Sequence, residues 1–226
     1  MTVVTARAAT LRLIEATGVV AVIRLDDPAA LRQTCEALAA GGVRALEVTM
    51  TVPGAVTLIE QLAGSLPADF AVGAGTVLDA ETARKVIAAG ARFVVSPVFR
   101  PAMIDVARRH DVPVMPGCFT PTEILAAWDA GADIVKVFPA TALGPTFFRD
   151  IHGPLPQIRL MPTGGVTREN AGDWIRAGAV AIGVGTALVD KGAIKSGKFD
   201  VIAANARHFI EAVRQARIPA AGVQAR

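Results

Sequence analysis

Short apolar runs alternate with amphipathic segments along the whole chain. Four runs follow a glycine, a small residue and a polar residue, and they recur at roughly 40 to 50 residues, a period that indicates a repeated supersecondary unit. Four further runs rich in β-branched residues lie between them. The eight predicted strands therefore fall in segments 19–25, 41–48, 70–74, 90–95, 112–115, 131–137, 158–161 and 178–184.

The segments between most of these runs have apolar residues three or four positions apart, which is the spacing of an amphipathic helix. Several begin with a polar residue or a proline, as helix starts commonly do. A short helix precedes the first strand and another ends the pattern. The clearest helices are expected at 10–17, 28–40, 79–89, 120–130 and 199–217.

Alternating strands and helices predict an α/β protein with a parallel sheet, and eight such units predict a closed (β/α)8 barrel. The structural alternative is an open doubly wound sheet. No strand is followed by the Gly-x-Gly-x-x-Gly dinucleotide fingerprint, which favours the barrel. We therefore predict a TIM barrel with a short N-terminal helix, formed as one domain by residues 1–226.

Composition narrows the classes of protein that remain. The chain has 226 residues, of which 52% are apolar and 19% charged, so it can bury a sizeable core and is neither disordered nor fibrous. Its net charge of +3 comes from scattered basic residues, which favours an anionic small ligand over nucleic acid.

Two features bear on the compartment. Cys35 and Cys118 are too few for a disulfide framework, and the N-terminus lacks a charged and then apolar signal segment. No uninterrupted apolar run reaches the roughly 18 residues that a membrane helix needs. We expect a cytoplasmic protein that binds neither membrane nor nucleic acid.

One lysine lies inside a predicted strand. Strand alternation places Lys136 on the face opposite Val135 and Val137, which suit the helix-facing side, so its amine points into the barrel. Desolvation there lowers the pKa of an amine and leaves free base that can attack a carbonyl carbon. The alternative is a core lysine paired with a carboxylate.

One glutamate occupies a similar position. Alternation turns Ala45, Glu47 and Thr49 inward, so a carboxylate shares the cavity with Lys136. Such a pair suits proton transfer next to an iminium, with the carboxylate as general base. Alternatively Glu47 neutralises Lys136, and the two roles can apply at different steps.

Polar residues and glycines at strand ends are the other candidates, because barrel enzymes place their reacting groups there. Thr76 and Thr163 can orient a carboxylate or a hydroxyl, although threonine is also common at strand ends. The glycine turns after the last two strands suit a phosphate held on backbone amides, or simply a tight loop. These turns contain Gly164, Gly165, Gly185 and Thr186.

Arg24 at the end of the first strand is the inward cation best placed to pair with an anionic substrate, unless it pairs with Asp26 or Asp27. The three histidines are far apart in sequence and lie outside any cluster of carboxylates at a strand end, so metal chemistry is poorly supported. We expect no metal and no cofactor.

Seven motifs combine these residues in chain order, at 47–49, 73–77, 96–97, 115–117, 136–140, 162–166 and 183–186. Together they resemble the motifs of the 2-dehydro-3-deoxy-6-phosphogluconate (KDPG) aldolase and 4-hydroxy-2-oxoglutarate (KHG) aldolase family over almost the whole chain. The resemblance implies a metal-independent class I aldolase on a (β/α)8 barrel, usually a homotrimer. Its partner would be a small 2-keto acid phosphate.

The resemblance also implies roles. Lys136 corresponds to the Schiff-base lysine, Glu47 to the catalytic acid and base, and Thr76 to a contact of the pyruvate part. Thr163 corresponds to a residue linked to stereochemical control. The phosphate contacts correspond to Gly164, Gly165 and Thr186, the last of which is often serine in the family.

Thr51 departs from the family pattern. Many members carry an arginine shortly after the Glu-Val-Thr motif, where it pairs with the pyruvate carboxylate, whereas Met50-Thr51-Val52-Pro53 supplies no cation. The resemblance suggests that Arg24 helps to bind the substrate instead.

The expected reaction is cleavage of KDPG to pyruvate and glyceraldehyde 3-phosphate, with cleavage of KHG to pyruvate and glyoxylate as a further activity. Two alternatives stay open. One is an aldolase for the galactonate epimer. The other is a phosphosugar-binding barrel in which Lys136 and Glu47 form only an ion pair.

Overall fold

The structure is a computed structural model that describes residues 5–218. Within this range the strands are β1 (Val19–Ile23), β2 (Ala45–Thr49), β3 (Ala71–Gly75), β4 (Val94–Val95), β5 (Val114–Met115), β6 (Gly117–Cys118), β7 (Val135–Val137), β8 (Leu160–Pro162) and β9 (Ile182–Val184). The helices are α1 (Ala6–Thr17), α2 (Pro28–Ala40), α3 (Ala55–Ser65), α4 (Ala80–Ala88), α5 (Pro101–Arg109), α6 (Pro121–Asp129), α7 (Gly144–His152), α8 (Ala171–Arg176), α9 (Lys191–Lys195) and α10 (Phe199–Arg217). In the part of the chain covered by these elements, no helix is long and apolar enough to span a bilayer.

All strand pairs are parallel and together form a closed barrel. One sheet has the order β5-β4-β3-β2-β1-β9 and the other β6-β7-β8. The fifth barrel strand joins them, because β5 pairs with β4 while β6 pairs with β7. Bridges between Leu160 and Ala179 and between Thr163 and Gly183 close the ring from β8 to β9. The predicted (β/α)8 fold with its N-terminal helix is confirmed.

The fifth strand differs from the prediction of one unbroken element. Pro116 interrupts it, since proline has no N–H to donate to a sheet ladder. Its carbonyl accepts a hydrogen bond from the Lys136 N–H at 2.9 Å, so the interrupted segment still holds β7 in place.

Several predicted boundaries agree closely with the structure. The helices over 28–40 and 199–217 have the predicted limits, whereas α1 begins at Ala6 instead of Thr10. Thr5 caps α1 by accepting a hydrogen bond from the Ala8 N–H at 3.3 Å, which accounts for the earlier start.

The recurring glycines stand where helices give way to strands. Gly42, Gly90, Gly131 and Gly178 have φ values of 94°, 97°, 96° and 103°. Residues with a Cβ rarely adopt this left-handed conformation, so glycine ends each helix and turns the chain into the next strand.

The barrel interior contains its own apolar cluster, separate from the larger core between the strands and the helices. Ile14 of α1 belongs to the inner cluster, so α1 covers the end of the barrel at which the strands begin. This apolar floor comprises Ile14, Val20, Ala45, Ala71, Phe93, Val95, Met115, Ile134, Met161 and Ala181. Polar inward side chains begin one layer above it.

Candidate active site

Lys136 and Glu47 both lie inside the barrel above the apolar floor. Lys136 in β7 is 5% exposed and stands in register with Met161, an inner-cluster residue of β8. Its neighbours Val135 and Val137 belong to the outer core, as strand alternation predicts. Glu47 in β2 is 1% exposed. The fold thus buries an amine and a carboxylate in one interior.

The surroundings of Lys136 favour the neutral amine. Burial lowers its pKa below the ordinary value of a lysine, and the positive charge of Arg24 lowers it further. The negative charge of Glu47 acts in the opposite direction, but desolvation is the largest effect. The Nζ atom also lies 5.0 Å from the centroid of the Phe138 ring. A buried amine with a lowered pKa is a suitable nucleophile for a carbonyl carbon.

Glu47 and Lys136 do not form a direct ion pair among the described residues. The Oε2 atom of Glu47 is buried and has no hydrogen-bond partner within residues 5–218. Buried carboxylate oxygens normally have partners, so an orphaned one at this position is typical of a functional group. Its acceptor capacity remains available to a substrate hydroxyl or a water molecule.

A cavity of about 150 Å³ lies at the ends of β1, β8 and β9, and its lining includes neither Lys136 nor Glu47. It brings together six of the predicted binding residues, from the ends of β1, β8 and β9. A groove of about 670 Å³ lies between α2 and α3, but it contains none of the candidate residues. The lining of the smaller cavity comprises Val22, Arg24, Phe138, Thr163, Gly164, Gly165, Val166, Gly183, Gly185, Thr186 and Ala187.

The Gly164-Gly165 turn is shaped by its glycines. Their φ values of 85° and 76° are left-handed, and a Cβ on Gly165 would stand 2.7 Å from the Thr141 hydroxyl oxygen. The amide of Asn170 donates a hydrogen bond to the Gly165 carbonyl at 2.8 Å. The turn is therefore fixed in a conformation that exposes backbone to the cavity, which suits an anion.

Arg24 also lines this cavity. Its Nη1 atom is 3.5 Å from the place that a Cβ would take on Gly185, and it forms no ion pair with Asp26 or Asp27 within the described range. The local salt bridge that was the alternative role for Arg24 is therefore not present among these residues. The guanidinium is free to meet a negatively charged ligand.

The threonines differ in their surroundings. Thr163 is buried, and its hydroxyl oxygen has no partner among residues 5–218. Thr76 is half-buried, lies outside the lining of the cavity and has a left-handed φ of 59°. Such a φ is rare for a β-branched residue, and strain of this kind is common at functional sites. Thr51 is exposed, and its hydroxyl lies 2.8 Å from that of Thr49.

Two residues at the site were missed by the sequence interpretation. Phe138 faces inward two positions after Lys136, so the same strand alternation could have identified it. Lys191 lines a smaller cavity of about 50 Å³ together with Arg24 and Thr186. Lys191 lies in a polar stretch after the last strand, where strand alternation no longer applies. The sequence pattern therefore could not place it at the site.

Cys118 ends β6 but does not line the cavity of this site. Cys118 packs in the outer core, and burial raises the pKa of its thiol to about 12, so it is a poor nucleophile. Between residues 5 and 218, no group of three or more His, Cys, Asp or Glu side chains is arranged to hold a metal ion.

Comparison with known proteins identifies the family. The model of the family described as KDPG and KHG aldolase matches residues 11–205. The chain belongs to the KDPG and KHG aldolase family.

Individual relatives agree with this assignment. The KHG/KDPG aldolase of Escherichia coli (strain K12) is 37% identical over 180 residues, which cover 79% of this chain and 84% of the relative. A solved structure named native KDPGal has a TM-score of 0.82 at 30% identity and covers 88% of this chain and 95% of that one.

One similar structure shows a reaction intermediate. The KDPG aldolase of Legionella pneumophila, with pyruvate captured as a covalent carbinolamine, has a TM-score of 0.81 at 30% identity. The match covers 90% of this aldolase and 97% of that chain.

The charges around Lys136 make a prediction about its titration. Glu47→Gln removes the charge that raises the pKa of Lys136, so this pKa should fall. Arg24→Gln removes a charge that lowers it, so the pKa should rise. The measurement is ¹³Cε NMR of the five lysines, with the Lys136 signal assigned by its absence from Lys136→Met.

Lys85, Lys195 and Lys198 are exposed, lie outside the cavities that Arg24 lines and serve as internal controls. Lys85 should titrate identically in both variants. A Lys136 pKa that shifts the same way in both, or in neither, would contradict the electrostatic account.

Proposed function

We propose that this aldolase cleaves KDPG to pyruvate and glyceraldehyde 3-phosphate through a Schiff base on Lys136, and that it also cleaves KHG to pyruvate and glyoxylate. The observation that carries the proposal is the desolvated Lys136 amine, which shares the barrel interior with the unpartnered carboxylate of Glu47. We also propose that residues 1–226 function as a single barrel domain.

The first steps use Lys136. Its neutral amine attacks the C2 carbonyl carbon to give a carbinolamine, and loss of water gives an iminium. The iminium withdraws electrons from the C3–C4 bond. A nucleophile of this kind needs the amine to be unprotonated, which its burial favours.

Glu47 then acts as a general base. Its carboxylate, directly or through a water, removes the C4 hydroxyl proton as the C3–C4 bond breaks, and glyceraldehyde 3-phosphate leaves. The remaining enamine is protonated at C3, the future methyl carbon, and hydrolysis releases pyruvate and the free Lys136 amine. The buried oxygen of Glu47 without a partner supports this role.

In this proposal the phosphate end and the pyruvate end of the substrate bind to residues at the ends of different strands. The glycine turns and Thr186, joined by Arg24, bind the phosphate, since these residues line one cavity. Thr76 contacts the pyruvate part, and Thr163 contacts the hydroxyl-bearing carbons from its buried position. The binding groups are Arg24, Thr76, Thr163, Gly164, Gly165, Gly185 and Thr186.

An aldolase for the galactonate epimer is the second candidate, and the similarity to the structure named KDPGal supports it. The two substrates differ in configuration at a hydroxyl-bearing carbon, where Thr163 is placed to act. Comparing kcat/KM for KDPG, its galactonate epimer and KHG distinguishes these activities. A barrel that only binds phosphosugars would bind them without cleavage and would not capture pyruvate.

The enzyme is proposed to act in the cytoplasm, in the Entner–Doudoroff route of carbohydrate metabolism, as a homotrimer. Three exposed apolar side chains support assembly. Leu78, Val98 and Phe119 follow β3, β4 and β6, which are neighbours around the barrel, and they are 45%, 44% and 39% exposed. Apolar side chains grouped on one rim favour contact with a second copy of the chain.

Borohydride reduction tests the Schiff base. Reduction in the presence of pyruvate should add one pyruvate-derived group to Lys136, detected by mass spectrometry of the peptide. Lys136→Ala should abolish the adduct and lower kcat at least about a thousandfold, because the covalent route is lost. A protein that cleaves KDPG yet shows an unmodified Lys136 would exclude this mechanism.

Glu47→Gln separates the roles of the two groups. This variant should still be trapped by borohydride, but exchange of the pyruvate methyl protons with D₂O, followed by NMR, should fall by about 10²-fold or more. Exchange at the wild-type rate would remove Glu47 from the role of general base.

Arg24→Ala tests the phosphate end. The KM for KDPG should rise at least about tenfold, because a charge-assisted contact with the phosphate is lost, while the KM for KHG should stay within about twofold. Arg32→Ala, at an exposed position on α2, is the matched control and should change neither value. An equal effect on both substrates would place Arg24 away from the phosphate.

Light scattering during gel filtration tests the trimer. The wild type should have three times the chain mass of 23.4 kDa. Leu78→Glu combined with Phe119→Glu should dissociate it, because a charge buried in an apolar contact is costly. Gln33→Glu, a charge change at an exposed position of α2, should leave the mass unchanged. A wild-type monomer would contradict the proposed assembly.

A further inference from the structure

Each polar side chain deep in the barrel stands opposite a glycine on a neighbouring strand. The pairs in register are Glu47 with Gly73, Lys136 with Gly117, and Thr163 with Gly183. A glycine at an inward position removes a side chain from a crowded interior. Of these three glycines, only Gly183 leaves its space to the paired side chain, since a Cβ there would overlap the Thr163 hydroxyl. A Cβ on Gly73 would instead overlap the Phe93 ring, and one on Gly117 the Pro97 backbone.

Gly75 has the closest relation to a reacting group. A Cβ built on Gly75 would overlap Oε1 of Glu47 and would stand 2.5 Å from its Cδ and 2.6 Å from its Cγ. Real side chains essentially never approach so closely, so most of the Glu47 side chain would have to move. Glu47 is 1% exposed, which leaves it little room to do so.

The backbone of Gly75 does not itself require glycine. Its φ lies outside the left-handed region, in contrast to those of Gly164 and Gly165, and it pairs regularly with Thr49 in the β2–β3 ladder. Conformational freedom therefore does not explain a glycine at this position. The space occupied by the Glu47 carboxylate does.

We infer that Gly75 is a positioning residue for catalysis. Because Gly75 has no side chain, the Glu47 carboxylate can occupy the space from which it transfers protons. The inference rests on the proposed function, in which Glu47 is the general base. A base must lie within hydrogen-bond distance of the proton that it removes, so a displaced carboxylate loses its effect even though it stays charged.

The same steric relation recurs at the end of β8, the strand next to that of Lys136. A Cβ on Gly183 would overlap the hydroxyl oxygen of Thr163, which is buried and unpartnered within the described residues. Two polar groups of the barrel interior are thus placed over glycines of adjacent strands. This repetition supports positioning by glycine as a property of the site.

Gly75→Ala is the direct test. Borohydride should still trap pyruvate on Lys136 to the wild-type extent, whereas exchange of the pyruvate methyl protons should slow at least about tenfold. Gly64→Ala is the matched control, because a Cβ there meets nothing within 4 Å, and it should leave both readouts unchanged.

A double-mutant cycle tests the contact itself. Gly75→Ala should lower Tm in the wild-type background but have little effect in a Glu47→Ala background, where the overlapping atoms are gone. In a Glu47→Gln background, Gly75→Ala should cause no further loss of exchange, since the base is already removed.

Three results would overturn the inference: wild-type exchange in Gly75→Ala, a fall in Tm that Glu47→Ala does not relieve, or a further loss of exchange in the Glu47→Gln background. These outcomes differ from a failure of the proposed function. In that case the wild-type protein itself would not trap pyruvate on Lys136, whatever residue stands at position 75.

Discussion

The desolvation of one amine is the constraint on which the rest of this structure depends. A lysine buried in an apolar barrel is costly as a cation, and this burial lowers the pKa of Lys136 below its ordinary value. The apolar floor formed by α1 and the first layer of inward side chains excludes water from below. Burial, which would be only a penalty in an ordinary core, here gives the amine its reactivity.

Placing polar groups in such an interior requires space as well as charge. A barrel of eight strands is filled by the side chains of its own strands, so each large polar residue needs a small neighbour. Gly75 on β3 provides that space for Glu47, and Gly183 on β9 provides it for Thr163. Glycines likewise contribute to the lining of the cavity proposed for the ligand.

Much of this arrangement follows from the sequence alone. Strand alternation gives the inward orientation of Lys136 and Glu47, and the repeated glycine turns give the barrel. The interruption at Pro116, the left-handed Thr76 and the contact between Gly75 and Glu47 were not predicted. The contact depends on the register between β2 and β3, which no local pattern specifies. Thr76 follows the last residue of β3, where strand alternation no longer predicts the backbone conformation.

Arg24 connects the two halves of the site electrostatically. Its charge lowers the pKa of Lys136, and it also lines the cavity proposed for the phosphate. A bound phosphate offsets part of the positive charge felt by the amine, so the ligand would raise the pKa of Lys136 relative to the free enzyme. Desolvation is the largest influence on this amine and acts in the opposite direction to the phosphate. The burial of Lys136 therefore counteracts the effect of an anion bound at Arg24.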